Sequence, residues 1–177
     1  MFLIQSCRLP DRALLRRYQS RGAYTDCYVT EVARPVTRAA YVEAFYTSGV
    51  FKLERLILRW LASRPSTDDE ARQLASGARD SFAAWSVEAR EADQLLLCDL
   101  VGRTRSWLMV IPADDNGHDG NTRLYFGSAV VPATDAGSGR PTLGFTYRSL
   151  LGFHKFYSRV LLRAARSRLL RQRAELA

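Results

Sequence analysis

The stretch from residue 82 to 131 constrains this chain most, because its apolar residues leave helical spacing and alternate. FAAWSVEARE at 82–91, LLLCDLV at 95–101, TRSWLMVI at 104–111 and TRLYFGSAVV at 122–131 each read as strands. Gly102-Arg103 fits a two-residue type II′ hairpin, with glycine at the first turn position, where φ is positive. Ala92-Asp93 makes a second short turn. Strands joined this closely pair antiparallel. With two-residue turns, Trp85, Val87 and Ala89 fall beside Leu96, Cys98 and Leu100, and these beside Arg105, Trp107, Met109 and Ile111. The opposite face carries Ala84, Ser86, Glu88, Arg90, Leu95, Leu97, Asp99, Ser106 and Leu108. One nearly apolar face and one mixed face predict a sheet covered on one side. A one-residue slip would invert the two faces.

Helical signals flank this block. Asp11, Leu14, Leu15 and Tyr18 suggest a short helix over 11–19, stopped at Gly22, and YTDCYVTEV at 24–32 alternates as a strand. Pro35 and Thr37 open a helix through Phe45. Leu53, Leu56, Ile57, Trp60 and Leu61 then repeat at the spacing of a buried helical face, which Pro65 ends. Ser66 and Thr67 each precede an acid three residues on, a capping-box pattern for a helix over 68–77 that Gly77 stops. The longest helix is predicted over 148–174. Leu150, Phe153, Tyr157, Val160, Leu161 and Ala164 form its apolar stripe, and Arg148, Lys155, Arg159, Arg163, Arg166 and Arg173 lie opposite. Arg168 and Arg171 fall on or beside the apolar side, so burial is expected to end near residue 167.

The 177 residues make one domain's worth of chain. At 47% hydrophobic and 25% charged, the composition excludes a wholly disordered chain. A single domain is expected over 1–177, with 1–22 and 168–177 as its loosest ends. No apolar run approaches the ~20 residues of a membrane-spanning helix. The opening MFLIQSCRLPDR reads as too short and too soon charged for a secretory signal, so a cytoplasmic location is expected. Cys7, Cys27 and Cys98 form no CxxC pair and no even-numbered framework, which argues against a disulfide scaffold or zinc ribbon. The formal charge is +8, carried almost wholly by arginine and concentrated at both ends. That asymmetry fits contact with an anionic surface or partner, and equally a solvated amphipathic helix.

Few residues announce chemistry. In the loop from Asp114 to Asp119, the sixth and twelfth positions of a calcium loop would be Asp119 and Tyr125, where glycine and a carboxylate are required. His118 and His154 are too far apart in sequence to define a zinc site without further ligands. His154 lies near the edge of the apolar stripe, as a boundary residue or as an acid–base group reaching a cavity. There is no GxSxG elbow, GxGxxG or GxxxxGK[ST]. No RNP signature, zinc finger or helix-turn-helix accompanies the basic face. No metal, cofactor or catalytic set is therefore expected.

The order is a strand, two or three helices, a run of antiparallel strands and a long last helix. With LPDRALLRRYQSRGAYTDCY at 9–28, LLLCDLVGRTRSWLMV at 95–110, TRLYFGSAVVP at 122–132 and LGFHKFYSRVLLRAARSRL at 151–169, it resembles the START-like helix-grip superfamily of polyketide-cyclase and lipid-transport proteins. The resemblance is to a bacterial branch of undefined function. It implies an α+β fold in which a curved antiparallel sheet grips the C-terminal helix around a cavity for a hydrophobic molecule. Such a sheet has six or seven strands where five are legible, so either the N-terminal stretch or the 132–146 loop supplies the rest or the sheet, and with it the cavity, is reduced.

Three functions follow. The first is a binding module for a small hydrophobic or amphipathic ligand, walled by Trp85, Trp107, Met109, Phe126 and Tyr157, with Arg105 or His154 as polar anchor. The second is a cyclase or hydrolase using His154 as acid–base in the same cavity. The third is contact with an anionic membrane or partner through Arg159, Arg163 and Arg166. A domain with a filled core and no ligand is the fourth alternative.

Overall fold

Alternating and helical periods sort themselves in space as the sequence orders them. The computed structural model describes residues 3–53, 55, 66–113, 120–131, 133–134, 141–142 and 145–174; side chains are outside the description at 133–134, 141–142, 145–154 and 173–174. The strands are β1 (Gln5–Ser6), β2 (Tyr24–Val32), β3 (Ser81–Phe82), β4 (Trp85–Arg90), β5 (Gln94–Asp99), β6 (Thr104–Pro112), β7 (Thr122–Val130), β8 (Ala133–Thr134) and β9 (Pro141–Thr142). The helices are α1 (Arg16–Gln19), α2 (Arg38–Tyr46), α3 (Asp68–Ser76) and α4 (Phe145–Ala174), with further helical residues at 49–53. The fold is α+β. One antiparallel sheet runs in the order β1-β2-β7-β6-β5-β4-β3, and β8 pairs with β9 apart from it. The N-terminal stretch thus supplies an edge strand, and the 132–146 loop supplies the separate pair.

Three local features depart from the predicted strands. The strand expected over 82–91 is two, because Phe82 pairs with Trp85 around a turn at Ala83-Ala84. Ala83 takes φ +52°, a conformation that usually selects glycine or asparagine, so no turn signal marks it. The β5–β6 connection spans Leu100–Arg103 instead of two residues, since Cys98 pairs with Arg105. Gly102 keeps its positive φ, +74°, and the two-residue shift leaves the faces unchanged.

The third departure moves side chains between faces. The Ala92-Asp93 turn forms as read, and Ala89 pairs with Leu96. A bulge between Val87 and Ala89 then sets Val87 opposite Leu97 and Trp85 opposite Asp99. Glu88 is the extra residue, and beyond it the alternation is reversed. Trp85 and Val87 therefore leave the face of Trp107 and join that of Leu97 and Leu108, correcting the expected register.

Both faces of the sheet are covered, not one. On the first, Tyr28, Leu95, Leu97, Leu108 and Phe126 pack against α2, α3 and α4. An aromatic cluster fills this layer, with ring centroids 4.9 Å apart for Phe45–Phe126, 4.7 Å for Tyr46–Phe51 and 5.4 Å for Tyr46–Phe82. Each such ring contributes about 1.5–3 kcal/mol by leaving water. On the second face, Leu96, Trp107, Met109, Tyr125 and Ala129 lie under Leu9, Ala13, Leu15 and Tyr18 of the N-terminal segment.

The helix ends follow the sequence closely. Thr37 caps α2, accepting from the Ala40 amide at 3.2 Å. Thr67 and Glu70 form the reciprocal capping box of α3, and Gly77 stops it at φ +93°. Helix α4 buries Ser158, Leu161, Leu162, Ala165 and Leu169, while Tyr157, Val160 and Ala164 are half-buried. Burial thus passes the expected end near 167. Backbone contacts explain the extension: Arg34 Nη2 donates to the Leu169 carbonyl at 2.8 Å, and Arg166 Nε to the Glu31 carbonyl at 3.0 Å. Of the helix expected around Leu53–Leu61, Leu53 is exposed, and Leu56, Ile57, Trp60 and Leu61 lie outside the described residues. Among the described residues no helix is long and apolar enough to cross a membrane.

Candidate ligand cleft

The N-terminal segment creates the candidate site, so its anchoring comes first. Gln94, fully buried at the start of β5, reaches it through both ends of its amide. Its Oε1 accepts from the Leu14 amide and the Trp107 indole, each at 2.9 Å, and its Nε2 donates to the Arg12 carbonyl at 3.0 Å. Nearby, the Glu88 carboxylate exposed by the bulge accepts from Arg17, from the Tyr18 hydroxyl and, at 2.5 Å, from Arg105 Nε. Burial raises the Glu88 pKa, but these donors and the Arg105 charge outweigh it and hold the carboxyl below its ordinary range. Arg105 also lies over the Tyr18 ring, 4.7 Å from its centroid. Gly127 leaves room beneath the segment: a Cβ there would meet the Asp26 carbonyl at 2.7 Å and Leu15 Cδ2 at 3.1 Å.

Beside this segment lies a cleft of about 670 Å³. Cys7, Arg8 and Leu9 line it from the segment, residues Tyr24 to Tyr28 from β2, and Lys155 and Arg159 from α4. Arg159 stacks over the Tyr28 ring at 5.3 Å, which places a cation and an aromatic face together. Burial, then the Asp26 charge, pushes the Tyr24 and Tyr28 hydroxyls up to about 12, so both remain protonated donors at neutral pH. Asp26 is drawn back into the sheet, its Oδ1 accepting from the Ser128 amide at 3.0 Å and hydroxyl at 2.7 Å. Arg16 is paired with Asp11. The lining also carries the carboxylates of Asp11 and Asp26, but its four cations, Arg8, Arg16, Lys155 and Arg159, outnumber them and lie beside aromatic rings. Such a lining can hold a small anion by charge-assisted hydrogen bonds and its apolar part by contact with the rings. Among the described residues no group of three or more metal-ligating side chains occurs.

The residues expected to wall one cavity are divided between the two faces. Trp107 and Met109 are fully buried beneath the N-terminal segment, and Arg105 at the same side is held by Glu88, Tyr18 and the Gly102 carbonyl. Trp85, Phe126 and Tyr157 lie on the helix-covered face, where Phe126 contacts Phe45. None of these six lines the cleft. His154 belongs to α4, its side chain outside the description, and His118 lies outside the described residues. Of the expected anionic-contact residues, Arg159 and Arg163 are exposed, whereas Arg166 is half-buried and bonded to Glu31.

Sequence reasoning missed the relation between two cysteines. Cys7 Sγ and Cys27 Sγ are 3.1 Å apart and share a hydrogen bond. The pairing of Gln5 with Val29 and Ser6 with Tyr28 carries Cys7 opposite Cys27, and the Cys7 amide donates to the Cys27 carbonyl at 3.0 Å. A two-residue edge strand has too little pattern to announce its partner, so no sequence signal marks this pair. Compared with protein-family models and with curated proteins, the chain matches none.

Proposed function

We propose that this chain is a START-like helix-grip module that holds a small amphipathic anion in the cleft between β2, the N-terminal segment and α4. The observation that carries the reading is the lining: Arg8, Lys155 and Arg159 share a cleft of about 670 Å³ with Tyr24 and Tyr28. That volume falls within the roughly 300–1,000 Å³ of small-molecule sites. The order of elements, with α4 packed against α2 and β2, supports the helix-grip comparison. The aromatic packing between the sheet and the helices favours this flank over the centre of the fold as the place for a ligand.

Calorimetric titration with decanoate, a carboxylate with an apolar tail, tests the reading. Binding to the wild type should weaken about tenfold or more in Lys155→Glu/Arg8→Glu, which reverses two cleft charges. Arg163→Glu, on α4 but off the cleft lining, should bind like the wild type. No binding, or equal loss in both variants, overturns the proposal. Native mass spectrometry of protein purified from its own host, followed by solvent extraction, identifies the natural occupant.

A specific observation also favours contact with an anionic membrane. On α4, Phe156 and Leu170 are 64% and 41% exposed among the exposed basic residues Lys155, Arg159, Arg163 and Arg171. An apolar ring and leucine flanked by cations suit the interface of an anionic bilayer. Co-sedimentation with phosphatidylglycerol vesicles at low salt, lost at high salt and in Phe156→Ser/Arg163→Glu, is the expected result. Absence of co-sedimentation at low salt removes this reading.

A further inference from the structure

We propose that Cys7 and Cys27 are an oxidisable dithiol that closes a reversible disulfide between the N-terminal segment and β2. The inference goes beyond ligand binding and does not depend on it. The two sulfurs are already 3.1 Å apart, so bonding requires an approach of about 1 Å to the disulfide length of ~2.05 Å. Residues directly opposite on antiparallel strands have Cα atoms about 4.5–5.5 Å apart, within the range that a disulfide spans. Side-chain movement can therefore complete the bond without breaking the β1–β2 pairing.

The two thiols are unequal in a way that suits ordered oxidation. Cys27 is buried, whereas Cys7 is half-buried; both line the cleft, through which a small oxidant can reach them. The shared hydrogen bond holds the Cys7 thiol below its ordinary range, against the opposing effect of burial. The same bond, together with burial, pushes Cys27 up. Cys7 is thus the attacking sulfur and Cys27 the resolving one. Cys98 is separate from the pair, its Sγ donating to the Asp99 carbonyl at 3.3 Å.

With a hydroperoxide as oxidant, the Cys7 thiolate attacks the terminal peroxide oxygen and the O–O bond breaks. The departing alkoxide, or hydroxide from hydrogen peroxide, takes up the proton lost by Cys7. Cys7 is left as a sulfenic acid. The Cys27 sulfur then attacks the Cys7 sulfur, the S–O bond breaks, and water leaves with the Cys27 proton. Two electrons pass from the two thiols to the peroxide. The bond would close a loop that contains α1 and Leu9–Tyr18, fixing the cover over the second sheet face.

The test treats the full chain with graded hydrogen peroxide and follows it by intact mass and non-reducing peptide mapping. A loss of about 2 Da, a Cys7–Cys27 cross-linked peptide formed before Cys98 is modified, and reversal by dithiothreitol are expected. Cys98→Ser should form the cross-link as the wild type does. Cys27→Ser should instead accumulate a dimedone-reactive sulfenic acid on Cys7. The oxidised protein should melt roughly 6–12 °C higher than the reduced protein. Prior oxidation of Cys98, over-oxidation of Cys7 without the cross-link, or a cross-link only between chains would overturn the proposal.

Discussion

The Trp107 indole donates to Gln94 Oε1 at 2.9 Å, in a layer where both residues are fully buried. The same oxygen accepts from the Leu14 amide, so one side chain satisfies donors from the sheet and from the segment lying over it. Gln94→Leu would keep the bulk while leaving both donors unpaired. We expect a loss of about 3 kcal/mol, since each buried orphan costs about 1–3 kcal/mol. Urea denaturation reads the loss. An unchanged midpoint would show that the segment does not depend on the Gln94 hydrogen bonds.

Gly127 is constrained by approach, not by φ. A methyl group there would come within 2.7 Å of the Asp26 carbonyl and 3.0 Å of Trp107 Cε3. Because the first obstacle is backbone, Gly127→Ala should cost about 1–3 kcal/mol. Thermal melting measures it, and a melt superimposing on the wild type would mean that the strand can shift without penalty.

The Ala83 turn offers the opposite sign. At φ +52° alanine carries a strain that glycine does not. Ala83→Gly should stabilise the protein by about 0.5–1 kcal/mol, net of the added freedom of the unfolded chain. A lower melting temperature would contradict this account of the hairpin.

Glu88 links stability to acid. Its folded pKa lies below the ordinary 4.5, so folding favours the carboxylate. That contribution is fully present above the unfolded value and is lost as pH falls through the folded one. Glu88→Gln should lower stability at pH 7 by about 1–2 kcal/mol and flatten the decline of stability below pH 4.5. Parallel acid limbs in the two stability–pH profiles would exclude Glu88 as the group responsible.

Local signals alone determined a good part of this protein. Thr67, Glu70 and Gly77 bound α3 because capping is satisfied within a few residues of chain. The alternating runs announced β2, β5, β6 and β7, and the antiparallel pairing of β4, β5 and β6 followed from their short connections. Tertiary structure decided what local chemistry leaves open. The bulge at Glu88 carries no residue signature, yet it sends Trp85 and Trp107 to opposite faces, while the β6–β7 register that pairs Phe126 with Leu108 separates Phe126 from Trp107 as well. The covering of the second face depends on a glutamine that is informative only when Leu14 and Trp107 meet it, 80 and 13 residues away along the chain. The cleft and the Cys7–Cys27 pair likewise arise where β1, β2 and α4 converge. Periodicity reports which side of an element is apolar, whereas the partner of that side is chosen by packing between segments remote in sequence.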